Sequence, residues 1–300
     1  MFPPMNSSRF PPALARLLHG AIDYAGLFPP AGLSLGETID HYGRYRASPD
    51  CWALGRLIVP ATRLAEFVAL LDATDRDTAG WRLSATLGAA GAAECDLVAE
   101  ANRRLTGRGA AVDAIEARVP DGPAVAVLAQ SAEPAQAWYG EVALDTGFEA
   151  VLDALVAHRG FAKIRMGGVT ADLFPDPDRV VRFLQAVAVR SLPFKATAGL
   201  HHPLRGPYPL TYLPDSATGT MYGYLNVMVA TILACQGSEA AEIRAALVES
   251  DARHLRMLDG TLEWRHRRFA DPESCRVSFH GFGSCSFREP IDELRTVLTP

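Results

Sequence analysis

Lysine is so scarce in this chain that its two copies are the first residues to examine for chemistry. Of 29 basic residues, 27 are arginine; only Lys163 and Lys195 are lysine. Arginine stays protonated and forms no imine, whereas a buried lysine can lose its proton and attack a carbonyl. A lysine kept where arginine fills every other cationic position points to a task that needs an amine. Both lie in runs that read as buried strands, GFAKIRMGG (160–168) and LPFKATAGLHHP (192–203). Alternation along a strand puts Lys163 and Arg165 on one face, opposite Ile164 and Met166, and Lys195 and Thr197 on one face of the second run. On adjacent strands the two amines would lie within about 8 Å of each other. A neighbouring cation and a dry interior both lower an amine's pKa, and a value of ~7–8 leaves a usable neutral fraction near neutral pH.

The same alternation gives polar faces to other runs. Glu116 and Arg118 share a face in IEARV, Ser84 and Thr86 in RLSATL, and Glu141 stands between Gly140 and Val142. If the apolar faces pack outward on helices, Glu116, Arg118, Glu141, Lys163, Arg165 and Lys195 point inward together. Unpaired buried charges cost several kcal/mol each, so such a set persists as a paired network or as a site. A purely structural ion network is the plainer alternative. As a site, Glu116 and Glu141 would move protons for the amine chemistry. His201 and His202 follow the second lysine run and offer substrate contact, acid–base work, or metal ligation with Glu141 or His280. Adjacent histidines on a strand point to opposite sides, and there is no HExxH or Cys/His cluster, so no metal and no cofactor are expected. Cys285 in GSCSF reads more readily as a small buried thiol than as a nucleophile. Asp23 could touch substrate or cap a turn.

The elements that must position these residues recur along the chain. Strand-like runs occur at 21–28, 55–61, 81–88, 113–120, 138–144, 160–168, 192–203 and 275–283. Helical patterns such as LAEFVALLDAT, AECDLVAEANRRL, FEAVLDALVAHR and PDRVVRFLQAVAVR separate them. Eight strands alternating with helices predict an α/β fold, a single (β/α)8 TIM barrel spanning 1–300. An open doubly wound sheet is the alternative, weakened because no GxGxxG follows a strand. The spacing breaks once, and the segment of about 204–274 reads as an insertion between the seventh and eighth strands. It holds the apolar run YGYLNVMVATILACQ, which would suit an oligomer interface, a charged helix, and a hairpin in LEWRHRRF. The first 20 residues read as a cap over the barrel bottom.

Composition bounds the function. The chain has 300 residues, net charge −5, 49% apolar and 21% charged residues, enough to bury a large core and too apolar for wholesale disorder. The acidic balance without a basic run argues against nucleic acid. No apolar run reaches ~18 residues, so no membrane span is expected. The first residues lack the layout of a secretory signal, and five cysteines without CxxC read as reduced thiols, so a cytoplasmic location is expected.

The pattern resembles the class I deoxyribose-phosphate aldolases. GFAKIRMGG is similar to that family's sixth-strand lysine motif and PFKATAGL to its seventh-strand FKxxGG motif. The resemblance implies that Lys163 is the Schiff-base nucleophile and Lys195 its activator. EARVP places Glu116 four residues before Pro120, as the family's fourth-strand acid is placed, which implies a proton-relay role for Glu116. FGSCS (282–286) is similar to the family's phosphate-binding segment, implying an anion site at Gly199, Gly283 and Ser284. Arg165, Arg118, His201 and His202 complete the expected substrate-binding set. The expected function is a Schiff-base lyase or aldolase acting on a small carbonyl compound with an anionic group. Two alternatives stay open: a cofactor-free or metal-assisted isomerase, dehydratase or hydrolase, and a non-catalytic ligand-binding protein. A homo-oligomer is compatible with all three.

Overall fold

The computed structural model describes residues 10–74, 76–88, 92–258 and 260–297. Seven strands alternate with helices before the spacing changes: β1 (Ile22–Tyr24), β2 (Leu54–Pro60), β3 (Arg82–Thr86), β4 (Ala111–Arg118), β5 (Ala137–Val142), β6 (Phe161–Arg165) and β7 (Phe194–Thr197). Five short strands follow, β8 (Gly206–Pro209), β9 (Thr218–Met221), β10 (Leu255–Leu258), β11 (Thr261–Trp264) and β12 (Arg267–Phe269), and then β13 (Phe279–Ser284). β1–β7 and β13 form a closed parallel barrel in which β13 sits between β7 and β1. This is the predicted (β/α)8 barrel, and each of the eight predicted strand runs supplies one of its strands.

Strand ends differ from the expected runs where local chemistry intervenes. β1 stops after three residues because Ala25–Leu33 turns back on itself, with the Leu33 amide donating to the Gly26 carbonyl. β13 begins at Phe279 because Pro272–Val277 forms a 3-10 turn with proline in its first positions. Helices α1 (Pro12–Leu18), α2 (Leu35–Arg46), α3 (Leu64–Thr74), α4 (Ala92–Leu105), α5 (Gly122–Ser131), α6 (Phe148–Ala157) and α7 (Pro177–Val189) come before the long β7–β13 connection. Their starts follow ordinary capping rules. Ser34 and Glu37 form a capping box on α2, and Asp176 caps α7 ahead of Pro177. α1 packs against the turns that lead into β2 and β13, at the N-terminal end of the barrel. That is the place expected for the cap; its first nine residues lie outside the described ones.

The connection from β7 to β13 holds the β8–β9 hairpin, α8 (Tyr224–Cys235), α9 (Ala240–Leu247) and the sheet β10–β11–β12. LEWRHRRF forms the expected hairpin, turning at Arg265 in the left-handed region. α8 is buried from Tyr224 through Ala234, packs against α7 and β13, and stacks Tyr224 on Phe282 at 4.8 Å. A helix apolar on all sides is a core helix. α8 therefore belongs to the helical layer of the barrel itself, and its apolar surface is consumed within the chain. The last helix, α10 (Arg288–Val297), follows β13.

Candidate active site

Register places the chemistry. Across the sheet, Glu141 on β5 is level with Lys163 on β6, and Lys163 with Lys195 on β7. On the next strand back, Glu116 on β4 is level with Tyr139 on β5. All four charged side chains point into the barrel, as alternation predicts.

Glu116 joins the two amines. One of its oxygens, Oε1, accepts hydrogen bonds from Lys195 Nζ at 2.7 Å and Ser84 Oγ at 2.6 Å. Its other oxygen, Oε2, lies 2.8 Å from Lys163 Nζ in an ion pair that lacks the alignment of a hydrogen bond. Lys163 also lies 2.9 Å from Glu141 Oε2. Lys195 donates a second hydrogen bond to Asp23, and its ammonium sits 5.2 Å from the centre of the Tyr139 ring. The Tyr139 hydroxyl meets His280 Nδ1 at 3.0 Å. Asp23 is held from its other side by the Arg56 amide at 2.7 Å.

The amines differ in access. A cleft of about 960 Å³ opens at the C-terminal ends of the strands, where barrel enzymes keep their sites. Its floor and rim include Glu116, Glu141, Lys163, Arg118, Arg165 and His201, and its walls include Val119, Val127, Leu128 and Leu173. Lys163 is on this lining and Lys195 is not. The Lys195 side chain is 2% exposed and lies behind Glu116.

Electrostatics sharpen the difference. Burial alone would pull the Lys195 ammonium down, but Asp23 and Glu116 outweigh it and raise it above the ordinary lysine range. A neighbouring cation and a dry interior, which would lower one amine of the pair, therefore do not set Lys195; the two carboxylates decide. Burial works to raise Glu116, but Lys163 and Lys195 pull it well below the ordinary carboxylate range. Glu141 is likewise lowered against its burial, first by Lys163 and then by Arg165 and Arg118. The two arginines approach Glu141 Oε1, Arg165 at 3.4 Å and Arg118 at 3.5 Å.

The other expected residues divide. Gly283 lines the cleft. Ser284 sits behind it, with its hydroxyl 3.2 Å from His201 Nδ1. Gly199 is absent from the cleft lining; a side chain there would strike the backbone of Gly167 at 2.8 Å, so its role is close packing between loops. The two histidines point apart as expected. His201 faces the cleft, while His202 stacks on Tyr208 at 3.4 Å and contacts Glu293 at 2.8 Å. Burial lowers the His201 imidazole, but contacts with Cys285 and Glu289 reverse this and lift it to about 9. His202, Glu289 and Glu293 place one ligand atom each within 4.8 Å of one another, a spacing that could hold a cation. The five cysteines are free thiols, and Cys285 is buried against His201.

Some residues escape sequence reasoning. Tyr139 is legible in principle, two residues before Glu141 on the same inward face. Asp23 as the partner of Lys195, and Glu289 as the partner of His201, have no sequence signal, because barrel closure and a helix start bring them in. Among the described residues, no helix is long and apolar enough to cross a membrane. No protein-family model matches the chain, and comparison with curated proteins finds no match.

Proposed function

We propose that the protein is a lysine-dependent lyase that forms a Schiff base between Lys163 and a small carbonyl compound bearing an anionic group. The observation that carries the reading is the asymmetry of the amine pair: Lys163 lines the cleft between two carboxylates, and Lys195 is sealed behind one of them. A nucleophile needs access and a proton acceptor; a fixed cation needs neither.

In this reading the Lys163 ammonium hands a proton to Glu141, and the nitrogen lone pair attacks the carbonyl carbon. The carbonyl oxygen collects two of the three ammonium protons through Glu141 and leaves as water. The third proton stays on the resulting iminium nitrogen. Where the substrate has a hydroxyl on the carbon β to the iminium carbon, that hydroxyl gives its proton to Glu141 as the bond between the α and β carbons breaks. The electron pair of that bond moves into the iminium, one aldehyde departs, and the remaining enamine is protonated at its α carbon. Water then hydrolyses the iminium and returns Lys163. Glu116 keeps its negative charge throughout, between Lys163 and the permanently charged Lys195.

Cyanoborohydride in the presence of a panel of small aldehydes and ketones, followed by peptide mass mapping, tests the reading. The expected result is a reduced adduct on Lys163. Lys163→Arg keeps the charge and loses the nucleophile, so adduct and turnover should fall to background while the fold survives. An adduct confined to other amines, or full activity in Lys163→Arg, refutes it.

A further inference from the structure

The anion that the site accepts has two candidate seats, and the structure distinguishes them. The first is the β13–α10 junction, where the start of a helix offers amide donors. Two of the amides there are already satisfied from within the chain, and a carboxylate stands beside them. The Ser286 amide donates to Ser284 Oγ at 3.4 Å, and the Glu289 amide donates to Ser286 Oγ at 3.1 Å. The Glu289 carboxylate itself turns back to His201 Nδ1 at 3.4 Å and accepts the Tyr212 hydroxyl at 3.0 Å. His201 is thus matched by a resident negative charge, and a second anion there would meet Glu289 in repulsion.

The second seat lies on the opposite strands. Arg118 ends β4 and Arg165 ends β6, and both line the cleft mouth. Among the described residues, Glu141 is the only carboxylate either one pairs with, and both address its Oε1 while Lys163 holds its Oε2. Three cations therefore share one carboxylate at this edge. The connected network contains Arg118, Arg165, Lys163 and Lys195 against Asp23, Glu116 and Glu141, four cations to three carboxylates. It is one negative charge short, and the shortfall sits beside Lys163. A protonated imine leaves the count unchanged, since it replaces one cation with another.

We infer that the substrate carries a carboxylate next to, or one carbon removed from, the reacting carbonyl, so that Arg118 and Arg165 bind it while Lys163 forms the imine. The inference rests on the Schiff-base reading above and gives it a substrate class, a short 2-oxo or 3-oxo acid. A planar guanidinium matches a carboxylate with two parallel hydrogen bonds. Close convergence on Glu141 leaves little room between this seat and the amine, which suits an anion attached near the carbonyl. A terminal phosphate on a longer chain would need the β13–α10 seat, where the Glu289 carboxylate beside His201 repels it.

Three small probes separate the possibilities: pyruvate, acetone and hydroxyacetone phosphate. The readout is the concentration of each that gives half-maximal reductive trapping on Lys163. Pyruvate should trap at a concentration at least about tenfold below acetone. Arg118→Ala combined with Arg165→Ala should erase that advantage, read as the ratio of the acetone to the pyruvate concentration so that any change passed to both probes through Glu141 cancels; the Arg118 side chain is 79% exposed and that of Arg165 42%, so the fold should tolerate their loss. Pyruvate no better than acetone, a preference for hydroxyacetone phosphate, or a pyruvate advantage that survives both substitutions overturns the inference and leaves the Schiff-base reading standing. Failure of all three probes to label Lys163 instead counts against that reading. In that case, calorimetric titration of pyruvate into the wild-type protein and the double variant decides the carboxylate seat alone: saturable binding lost in the variant upholds it, and no binding, or binding that persists in the variant, refutes it.

Discussion

Removing the Lys195 charge should destabilise the barrel by stranding Asp23. The two side chains are 2% and 9% exposed, and among the described residues the Arg56 amide is the one hydrogen-bond donor left to Asp23 once its lysine is gone. Lys195→Met keeps most of the stem and deletes the ammonium. Breaking a buried pair by removing one partner costs about 3–5 kcal/mol, because the other charge stays buried without compensation. Glu116 still has Lys163 and Ser84, so most of the loss falls on Asp23. Asp23→Asn placed on the Lys195→Met background removes the stranded charge and keeps an oxygen to accept the Arg56 amide. It should recover roughly 2 kcal/mol or more, a coupling that a double-mutant cycle isolates. Urea unfolding of the four proteins at pH 7 measures it. With a slope of roughly 3 kcal/mol per molar urea for a chain of this size, Lys195→Met should move the midpoint down by about 1 M or more, and the double variant should regain over half of that. Single costs that simply add up in the double variant would refute the claim that these two residues depend on one another.

Two further outcomes follow from the same geometry. Glu116 has a folded-state pKa below its unfolded value of about 4.3, so it contributes stability above that pH and loses the contribution as acid takes the protein down through the folded value. Wild-type stability should therefore fall by up to about 1.4 kcal/mol per pH unit below pH ~4 from this group alone, and Glu116→Gln should flatten the urea-midpoint curve there; parallel curves would refute the assignment. Gly281 stands at φ 142°, and a methyl group added to it would overlap the Ala21 carbonyl oxygen, the oxygen that also accepts the Phe282 amide where β13 meets β1. Gly281→Ala should cost at least about 2–3 kcal/mol by thermal or urea unfolding, against about 1 kcal/mol for Gly20→Ala, where φ is also positive but nothing lies in the way. Equal losses at the two positions would remove the closure argument.

What can be seen in the sequence is the direction of each strand side chain. The scarcity of lysine marks Lys163 and Lys195, and period-two alternation puts them inside with Glu116 and Glu141; the register bears this out. Alternation says in or out. It does not say how far each side chain reaches or which distant strand answers it. Lys195 and Asp23 are 172 positions apart, and only the closing strand β13 brings β7 near β1. For that reason the lowering expected of an amine beside a second cation does not apply at Lys195: the neighbouring cation and Glu116 are visible in the sequence, and Asp23 as the further partner is not. The uniformly apolar run of α8 fits an external interface as well as an internal layer, because composition reports burial without naming what does the burying. Likewise, FGSCS announces a helix start with small polar residues, but the carboxylate that stands against His201 beside it comes from Glu289, in the first turn of the helix that follows.

The order of charges also explains why two lysines in one barrel are not equivalent. Contacts run from Arg118 and Arg165 to Glu141, then Lys163, Glu116, Lys195 and Asp23, alternating in sign. Every carboxylate that Lys163 touches is shared with another cation, Glu116 with Lys195 and Glu141 with the two arginines. Lys195 shares Glu116 but has Asp23 as a further partner, with which no other side-chain cation forms an ion pair among the described residues. Lys195 is accordingly the better-held ammonium, and it is the one without access to the cleft. Supplying a negative charge at the arginines would relieve Glu141 of its competing cations at the moment a substrate arrives, leaving that carboxylate to Lys163. Binding of the anion and proton transfer from the amine would then be coupled through a single side chain, and Glu141→Gln should break that coupling: reductive trapping of acetone and of pyruvate on Lys163 should both fall, because the amine loses its proton acceptor, and undiminished trapping of both would refute the role given to Glu141.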